Sequence, residues 1–231
     1  MRLAAGSDPL VELLQRGWSG LSIGSVPRPD LSGAQAEALA KFARLLFQWN
    51  QVHSLTAVET LEAYVDRHLL DGLSAWPGLK AQRLCDVGSG TGVPGLPLAL
   101  VMPGLEVTLV ERVARKAAFL RHAIAQLGLA GRVTVCQQDV RDLRGLQPYE
   151  MMVSRAFAAL ESFIDWTFHL SMPGTQWLYM AGKLSEIKYL NQNSYHHPQQ
   201  MDALVLDRIE PVTGTPMASA ERNLVWIRRL T

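Results

Sequence analysis

Four of the eight residues from Gly88 to Gly95 are glycine, in the run Asp86-Val87-Gly88-Ser89-Gly90-Thr91-Gly92-Val93-Pro94-Gly95. Alternate glycines let a chain turn sharply as it leaves a strand, and let a ligand approach the backbone with no Cβ in the way. Asp86 opens the run, and a second acid, Glu111, follows 25 residues later. An acid at the end of the second strand of a nucleotide-binding fold accepts hydrogen bonds from ribose hydroxyls. Glu111 can play that part, or it can close a solvated strand end or pair with Arg112 or Arg115. A pyrophosphate beside Asp86 would be repelled, which disfavours a dinucleotide. A ligand with an ammonium group and no phosphate suits Asp86 better. S-adenosyl-L-methionine has both properties and a sulfonium methyl besides, so these residues point to methyl transfer.

Other chemistry-bearing residues offer less. Cys85 and Cys136 sit in apolar runs without a CxxC spacing, and read as buried free thiols. His196 and His197 are adjacent in a polar stretch and lack metal-ligand spacing, so no metal site is expected. His68 and Asp71 invite an acid–base reading; a place on an apolar helix face for His68 and a helix-end role for Asp71 are the simpler expectation.

The elements that must hold these residues follow from apolar spacing. Pro9–Arg16 is a short helical candidate. Ser32 with Gln35 forms a capping-box pattern, after which Leu39, Phe42, Leu46 and Trp49 mark one helix face to about Val52. A further helix is expected over Leu61–Leu70. From Arg83 onward, strand-like runs alternate with helical ones. Strands are expected at Arg83–Val87, Glu106–Val110, Arg132–Cys136, Met151–Ser154 and Gln176–Met180. Helices are expected from the glycine loop to Met102, over Val113–Leu127, and near Leu160–Leu170 and Leu184–Asn191. Ala203–Ile209 and Asn223–Arg229 read as two final strands with no helix between them. This alternation predicts an α/β fold: a mostly parallel twisted sheet with an antiparallel edge hairpin and an N-terminal helical cap. Residues 1–80 would form the cap and 81–231 the cofactor-binding domain, together one compact unit.

The 231 residues are 48% hydrophobic and 19% charged, enough for a sizeable core and too apolar for a disordered chain. No apolar run approaches the roughly 20 residues of a membrane span, and Asp8 and Pro9 interrupt any secretory h-region. A cytoplasmic protein, a monomer without membrane contact, is expected. The formal charge of +1 excludes a uniformly basic coat. Between Glu111 and Arg155, however, eight basic residues stand against four acids. Arg115, Lys116 and Arg121 could share one helix face and meet phosphates.

Several motifs together resemble one family. They are Trp49-Asn50 with Leu55-Thr56, Arg67-His68 with Asp71, the glycine loop ending Val93-Pro94-Gly95, Arg115-Lys116 with Phe119-Leu120, Ser154-Arg155-Ala156-Phe157, and Glu221-Arg222. The chain resembles ribosomal RNA small subunit methyltransferase G, also called glucose-inhibited division protein B, over about Leu31 to Arg228. The resemblance implies a Rossmann-like class I methyltransferase fold, S-adenosyl-L-methionine as cofactor, and 16S rRNA or a small-subunit ribosomal particle as partner. The reaction it implies is methylation of one guanine N7 in the decoding-region loop. It places cofactor contacts at Gly88, Val93, Val140, Arg141 and Arg155. With Asp86, Gly90, Gly92 and Glu111 from the loop argument, these are the expected cofactor residues. Arg115, Lys116, Arg121 and Lys183 are the expected RNA contacts.

Three positions depart from the family pattern, the first being Ser54, which stands before Leu55-Thr56 where the family has Asn. Arg141 stands where Glu is common, and Ala181 stands where a lysine is common, with Lys183 two residues on. Guanine N7 carries a lone pair and no proton, so no catalytic general base is required. A small-molecule methyltransferase and a nicotinamide-dependent oxidoreductase remain the competing readings.

Overall fold

The computed structural model describes residues 8–58, 60–188, 190–191, 194–195, 204–214 and 221–230. Helix α1 (Pro9–Gly20) starts where the Asp8 side chain accepts from the Leu10 amide at 3.0 Å, with proline in the first turn. A two-residue strand β1 (Ser22–Ile23) follows. Helix α2 (Gly33–His53) opens on the expected capping box: Ser32 Oγ accepts from the Gln35 amide, and Gln35 Oε1 accepts from the Ser32 amide at 2.9 Å.

The next helix is broken in type. It runs as α3 (Leu61–Tyr64), a π turn (Val65–Leu69) and α4 (Leu70–Leu73), three residues past the expected end. The α/β part then runs β2 (Arg83–Val87), α5 (Gly95–Val101), β3 (Glu106–Val110), α6 (Ala114–Gln126), β4 (Val133–Cys136) and β5 (Tyr149–Arg155). It continues through α7 (Leu160–Thr167), β6 (Ser171–Ala181), β7 (Leu190–Asn191), β8 (Ser194–Tyr195), β9 (Leu204–Thr213) and β10 (Asn223–Arg229).

Eight strands form one sheet in the order β1-β9-β10-β6-β5-β2-β3-β4. The pairs β5–β6, β2–β5, β2–β3 and β3–β4 are parallel. The pairs β6–β10, β9–β10 and β1–β9 are antiparallel. Successive strand residues serve opposite faces. Met151, Val153, Leu178 and Trp226 join the cluster that includes Leu39, Phe42 and Leu69 of the cap. Met152, Trp177 and Val225 pack with Phe163 and Ile164 of α7 on the other face.

Three expectations need correction. The β9–β10 hairpin does not form the extreme edge, because β1 adds Ser22 against Thr213 and Ile23 against Val212 outside it. Two residues inside a Gly/Ser/Pro stretch show no period to read. The helix expected over Leu184–Asn191 is a 3₁₀ turn at Leu184–Glu186, followed by β7 paired with β8. Its apolar residues Leu184, Ile187 and Leu190 recur every three residues, and they pack at the edge of the second core without needing an α-helix. Strand β6 begins five residues before the expected Gln176, and the register shift between Tyr149 and Met151 takes up Pro173 and Gly174 as a bulge. His196 and His197 lie outside the described residues.

Candidate cofactor cleft and its rim

The sheet reverses order at β2, with β3 and β4 laid to one side and β5 and β6 to the other. A crevice therefore opens at the carboxyl ends of β2 and its neighbours. The glycine loop leaves β2 into this crevice. Its first turn is held by two amides, Gly88 at 2.9 Å and Ser89 at 3.1 Å, both donating to the Val110 carbonyl. Gly88, Gly90 and Gly92 have φ of +71°, +57° and +90°, the left-handed region that side chains disfavour.

The two acids singled out in the sequence clasp this loop from opposite sides. Asp86 Oδ2 accepts from the Gly95 amide at 2.9 Å, fixing the exit of the loop. Glu111 Oε2 accepts from the Gly90 amide at 2.9 Å, fixing its crest, while Oε1 accepts from the Val113 amide at 2.7 Å. Asp86 is 1% exposed. Burial pushes its carboxyl up to about 7, Glu111 nearby adds to the rise, and the Gly95 amide and Arg155 oppose it. The structure thus gives Asp86 a backbone partner and no open face toward the cleft.

A cleft of about 330 Å³ lies against the loop, lined among others by Gly88, Glu111, Lys116, Val140, Phe157 and Trp166. Of the expected cofactor residues, Gly88, Glu111, Val140 and Arg141 line it; Asp86, Gly90, Gly92, Val93 and Arg155 do not. Val93 is buried beneath the cap, where a Cβ on Gly72 would sit 2.5 Å from its Cγ1. Arg141 pairs with its own near neighbour. Its guanidinium forks onto Asp139 at 2.9 and 2.8 Å and lies over the Trp166 ring, 5.1 Å from the centroid. That pairing holds the Asp139 carboxyl down to about 2.

Phe157 and Trp166 are the wall residues that spacing did not single out. Their rings meet edge to face at 5.7 Å. Phe157 lies so close to Gly88 that a Cβ there would sit 2.3 Å from its Cδ2. Ala156, a non-glycine residue at φ +52°, turns the chain at the end of β5 to bring that ring over the loop. Phe157 was visible as part of the strand-end motif. Trp166 sits on a helix face that only tertiary packing turns toward the cleft.

Lys116 lines the cleft, whereas Arg115, Arg121 and Lys183 are exposed outside it. Arg121 donates to Gln137 Oε1 at 3.0 Å. Ala181 is 6% exposed and packs in the second core, so a lysine there would have to leave a buried site to reach solvent. Cys136 is half-buried rather than buried like Cys85.

Arg155 turns away from the cleft toward the cap. Its Nη1 donates to Asp71 Oδ2 at 2.9 Å and to the Arg67 carbonyl at 3.3 Å, and its Nη2 lies 2.7 Å from His68 Nδ1. His68 and Asp71 therefore serve the strand end of β5 instead of a helix cap. Burial and the charges of Arg155, Arg67 and Arg222 push the His68 ring down to about 4.

A reversing parallel sheet with a glycine loop, an acid closing the second strand and an aromatic-walled cleft defines the Rossmann-like methyltransferase fold. Two solved structures share it. One is the O-methyltransferase TomG from Streptomyces achromogenes, crystallised with SAM, with TM-score 0.54 and 16% identity over 90% of this chain and 92% of that one. The other is an O-methyltransferase from Bacillus cereus, crystallised with SAH, with TM-score 0.54 and 16% identity over 81% and 90%. At the sequence level, residues 35–211 match the family described as rRNA small subunit methyltransferase G. A protein of that name from Alkalilimnicola ehrlichii is 40% identical over 179 residues, 78% of each chain. The chain belongs to the rRNA small subunit methyltransferase G family.

Proposed function

We propose that this chain transfers a methyl group from S-adenosyl-L-methionine to N7 of one guanosine in the decoding-region loop of 16S rRNA, presented as RNA or in a small-subunit particle in the cytoplasm. The observation that carries this reading is the family match across residues 35–211, joined to the cleft beside Gly88 and Glu111.

The residues present fit the cofactor. Glu111 spends two acceptor positions on amides, and a carboxylate has about four, so two remain for ribose hydroxyls. Val140 and Val113 supply apolar contact for a base, and Gly88 offers backbone without a side chain. Bound S-adenosyl-L-methionine supplies a methyl group on a positively charged sulfur.

The protein's own work is alignment. The loop is preset by five hydrogen bonds, from the amides of Gly88, Ser89, Gly90, Gly92 and Gly95, so little ordering is left for the moment of reaction. Phe157 and Trp166 shield one side of the cleft from water. No proton has to move, because N7 attacks through an in-plane lone pair. His68 fits that chemistry: its Nδ1 faces an arginine that can only donate, so the ring is an acceptor and not a proton shuttle. Arg115 and Lys116 at the start of α6 give RNA phosphates a cationic rim next to the cleft.

Titration calorimetry with S-adenosylhomocysteine and with NAD tests the cofactor half of the proposal. Binding of the first and not the second is expected; the reverse would assign the cleft to hydride transfer.

A further inference from the structure

The cap carries a cluster of rings outside the cofactor cleft, with Trp49 at its centre. The His53 ring lies 5.1 Å from the Trp49 ring at 38°, and the His122 ring lies 4.8 Å from it at 40°. Both pairs are nearer to stacked than to edge-on. Phe119 meets Trp49 from the core side at 5.9 Å. His53 is exposed and His122 half-buried, so the cluster reaches from the core to solvent. Next in the chain to His53 is Val52, the most exposed large apolar side chain among the described residues at 76%.

The direction of the helices sets what lies beside these rings. Lys41 of α2 donates to the Gln126 carbonyl at the end of α6, whereas Trp49, eight residues later, meets Phe119 and His122. The two helices therefore run antiparallel, and the end of α2 approaches the start of α6, where Arg115 and Lys116 stand. Arg115 and His122 are seven residues apart, two helical turns, so they share one stripe of α6 about 10 Å apart.

The Trp49-Asn50 and Leu55-Thr56 motif holds the end of α2 in place. Asn50 Oδ1 accepts from the Leu55 amide at 2.6 Å and the Thr56 amide at 2.9 Å, and its Nδ2 donates to the Thr56 carbonyl at 3.1 Å. Ser54, at φ +46°, turns the chain off the helix just after His53. The last turn thus keeps its shape with His53 facing solvent. Neither helix brings an acid to this corner: α6 has none, and Glu37, near the far end of α2, is the only one on that helix.

We propose that this corner is an RNA-binding surface: an unpaired base of the substrate stacks on the His53–Trp49–His122 cluster while Arg115 meets a phosphate of the same strand. The inference deepens the RNA methyltransferase reading and rests on it. Every base has a π-face, so a ring cluster takes bases of any identity. Unpaired loop bases are the ones a protein can stack. Cations without acids beside the rings favour a polyanion, and they repel the same corner of a second copy.

The test measures equilibrium binding of the wild-type chain, His53→Ala, His53→Phe and Arg115→Gln over a series of salt concentrations. The probes are a small-subunit rRNA fragment carrying the decoding-region loop, a fully paired RNA duplex of the same length, and S-adenosylhomocysteine. His53→Ala is expected to weaken the loop fragment by about fivefold or more, the scale of a lost base–aromatic stack. Its log–log salt slope is expected to stay that of wild type, because no phosphate contact is lost, whereas Arg115→Gln flattens the slope. His53→Phe keeps a ring and is expected to bind the loop fragment within about twofold of wild type. Affinities of His53→Ala for the duplex and for S-adenosylhomocysteine are expected to be unchanged.

Unchanged binding of the loop fragment by His53→Ala, a flattened slope in that variant, failure of phenylalanine to restore binding, or an equal loss on the duplex or on S-adenosylhomocysteine would each overturn the proposal. A wild-type dimer in sedimentation that His53→Ala dissolves would assign the face to a second copy and overturn it as well. A wild-type chain that binds S-adenosylhomocysteine but neither the loop fragment nor a small-subunit particle would instead overturn the RNA methyltransferase reading beneath it.

Discussion

Gly88 and Gly90 look equivalent in the sequence, yet their surroundings separate them. A Cβ at Gly88 would strike the Phe157 ring, whereas a Cβ at Gly90 meets nothing nearer than the Gly88 carbonyl at 3.8 Å. Both carry positive φ. Gly90→Ala is therefore expected to cost only the backbone strain, about 1 kcal/mol, and Gly88→Ala about 1–3 kcal/mol more from the displaced ring. Thermal unfolding of the two variants checks the order; equal midpoints would contradict it. Asp86 allows a second prediction. Its folded carboxyl holds a proton up to about pH 7, while an unfolded one releases it near about 3.9. The folded state binds the extra proton between those values, so this group's contribution to stability falls as pH rises from about 4 to 7 and is flat above. Asp86→Asn keeps an acceptor for the Gly95 amide and cannot ionise. The variant is expected to gain stability relative to wild type across that window, by denaturant midpoints at several pH values. A constant difference would contradict the buried, neutral Asp86. The sequence alone named both acids, but it aimed Asp86 at the ligand. It could not reveal that the Gly95 amide returns to that carboxylate nine residues later.

At the level of elements, the cap touches the glycine loop through Gly72 of α4. A Cβ there would meet Val93 Cγ1 at 2.5 Å and the Pro94 Cα at 3.3 Å. Gly72→Ala is expected to destabilise the chain by about 1–3 kcal/mol through overpacking and to weaken S-adenosylhomocysteine binding, because α4 and the loop must part. Calorimetry on the purified variant checks it; unchanged binding would mean the loop holds its shape without the cap. The central strands were legible because short apolar runs bounded by glycine and polar residues bury both faces: Arg83–Val87 and Glu106–Val110 stand where the pattern put them. The Ser32–Gln35 box marked the start of α2 for a local reason, its two reciprocal hydrogen bonds. The π turn was not legible, since one extra residue per turn barely disturbs the spacing of Tyr64, Val65 and Leu69. Nor was β1, whose two residues take their conformation from the distant β9, nor β7, a two-residue strand paired with the equally short β8 just after it.

Across the whole molecule, the +1 net charge conceals an uneven distribution. Arg112, Arg115 and Lys116 gather where β3 passes into α6, next to the cleft, while Asp207, Arg208 and Arg228 pair among themselves on β9 and β10. Charge reversal at Arg115 and Lys116 is expected to weaken RNA binding and to flatten its log–log salt dependence by somewhat under about one per lost phosphate contact. An unchanged slope would move the RNA face elsewhere. The strand-end motif, the cap motif and the Glu221-Arg222 pair are far apart in the chain, yet Arg155, Asp71 and Arg222 meet in one cluster. Read separately, Asp71 has a helix-end role and Arg155 a cofactor contact; only the fold joins them to each other and to Arg222. The most direct measurement is a map of 7-methylguanosine in small-subunit rRNA from cells that carry this protein and from matched cells that lack it. The account predicts that one decoding-region guanosine loses its N7 methyl group when the protein is absent and regains it when the protein is restored. Identical 7-methylguanosine maps in the two cell populations would contradict it.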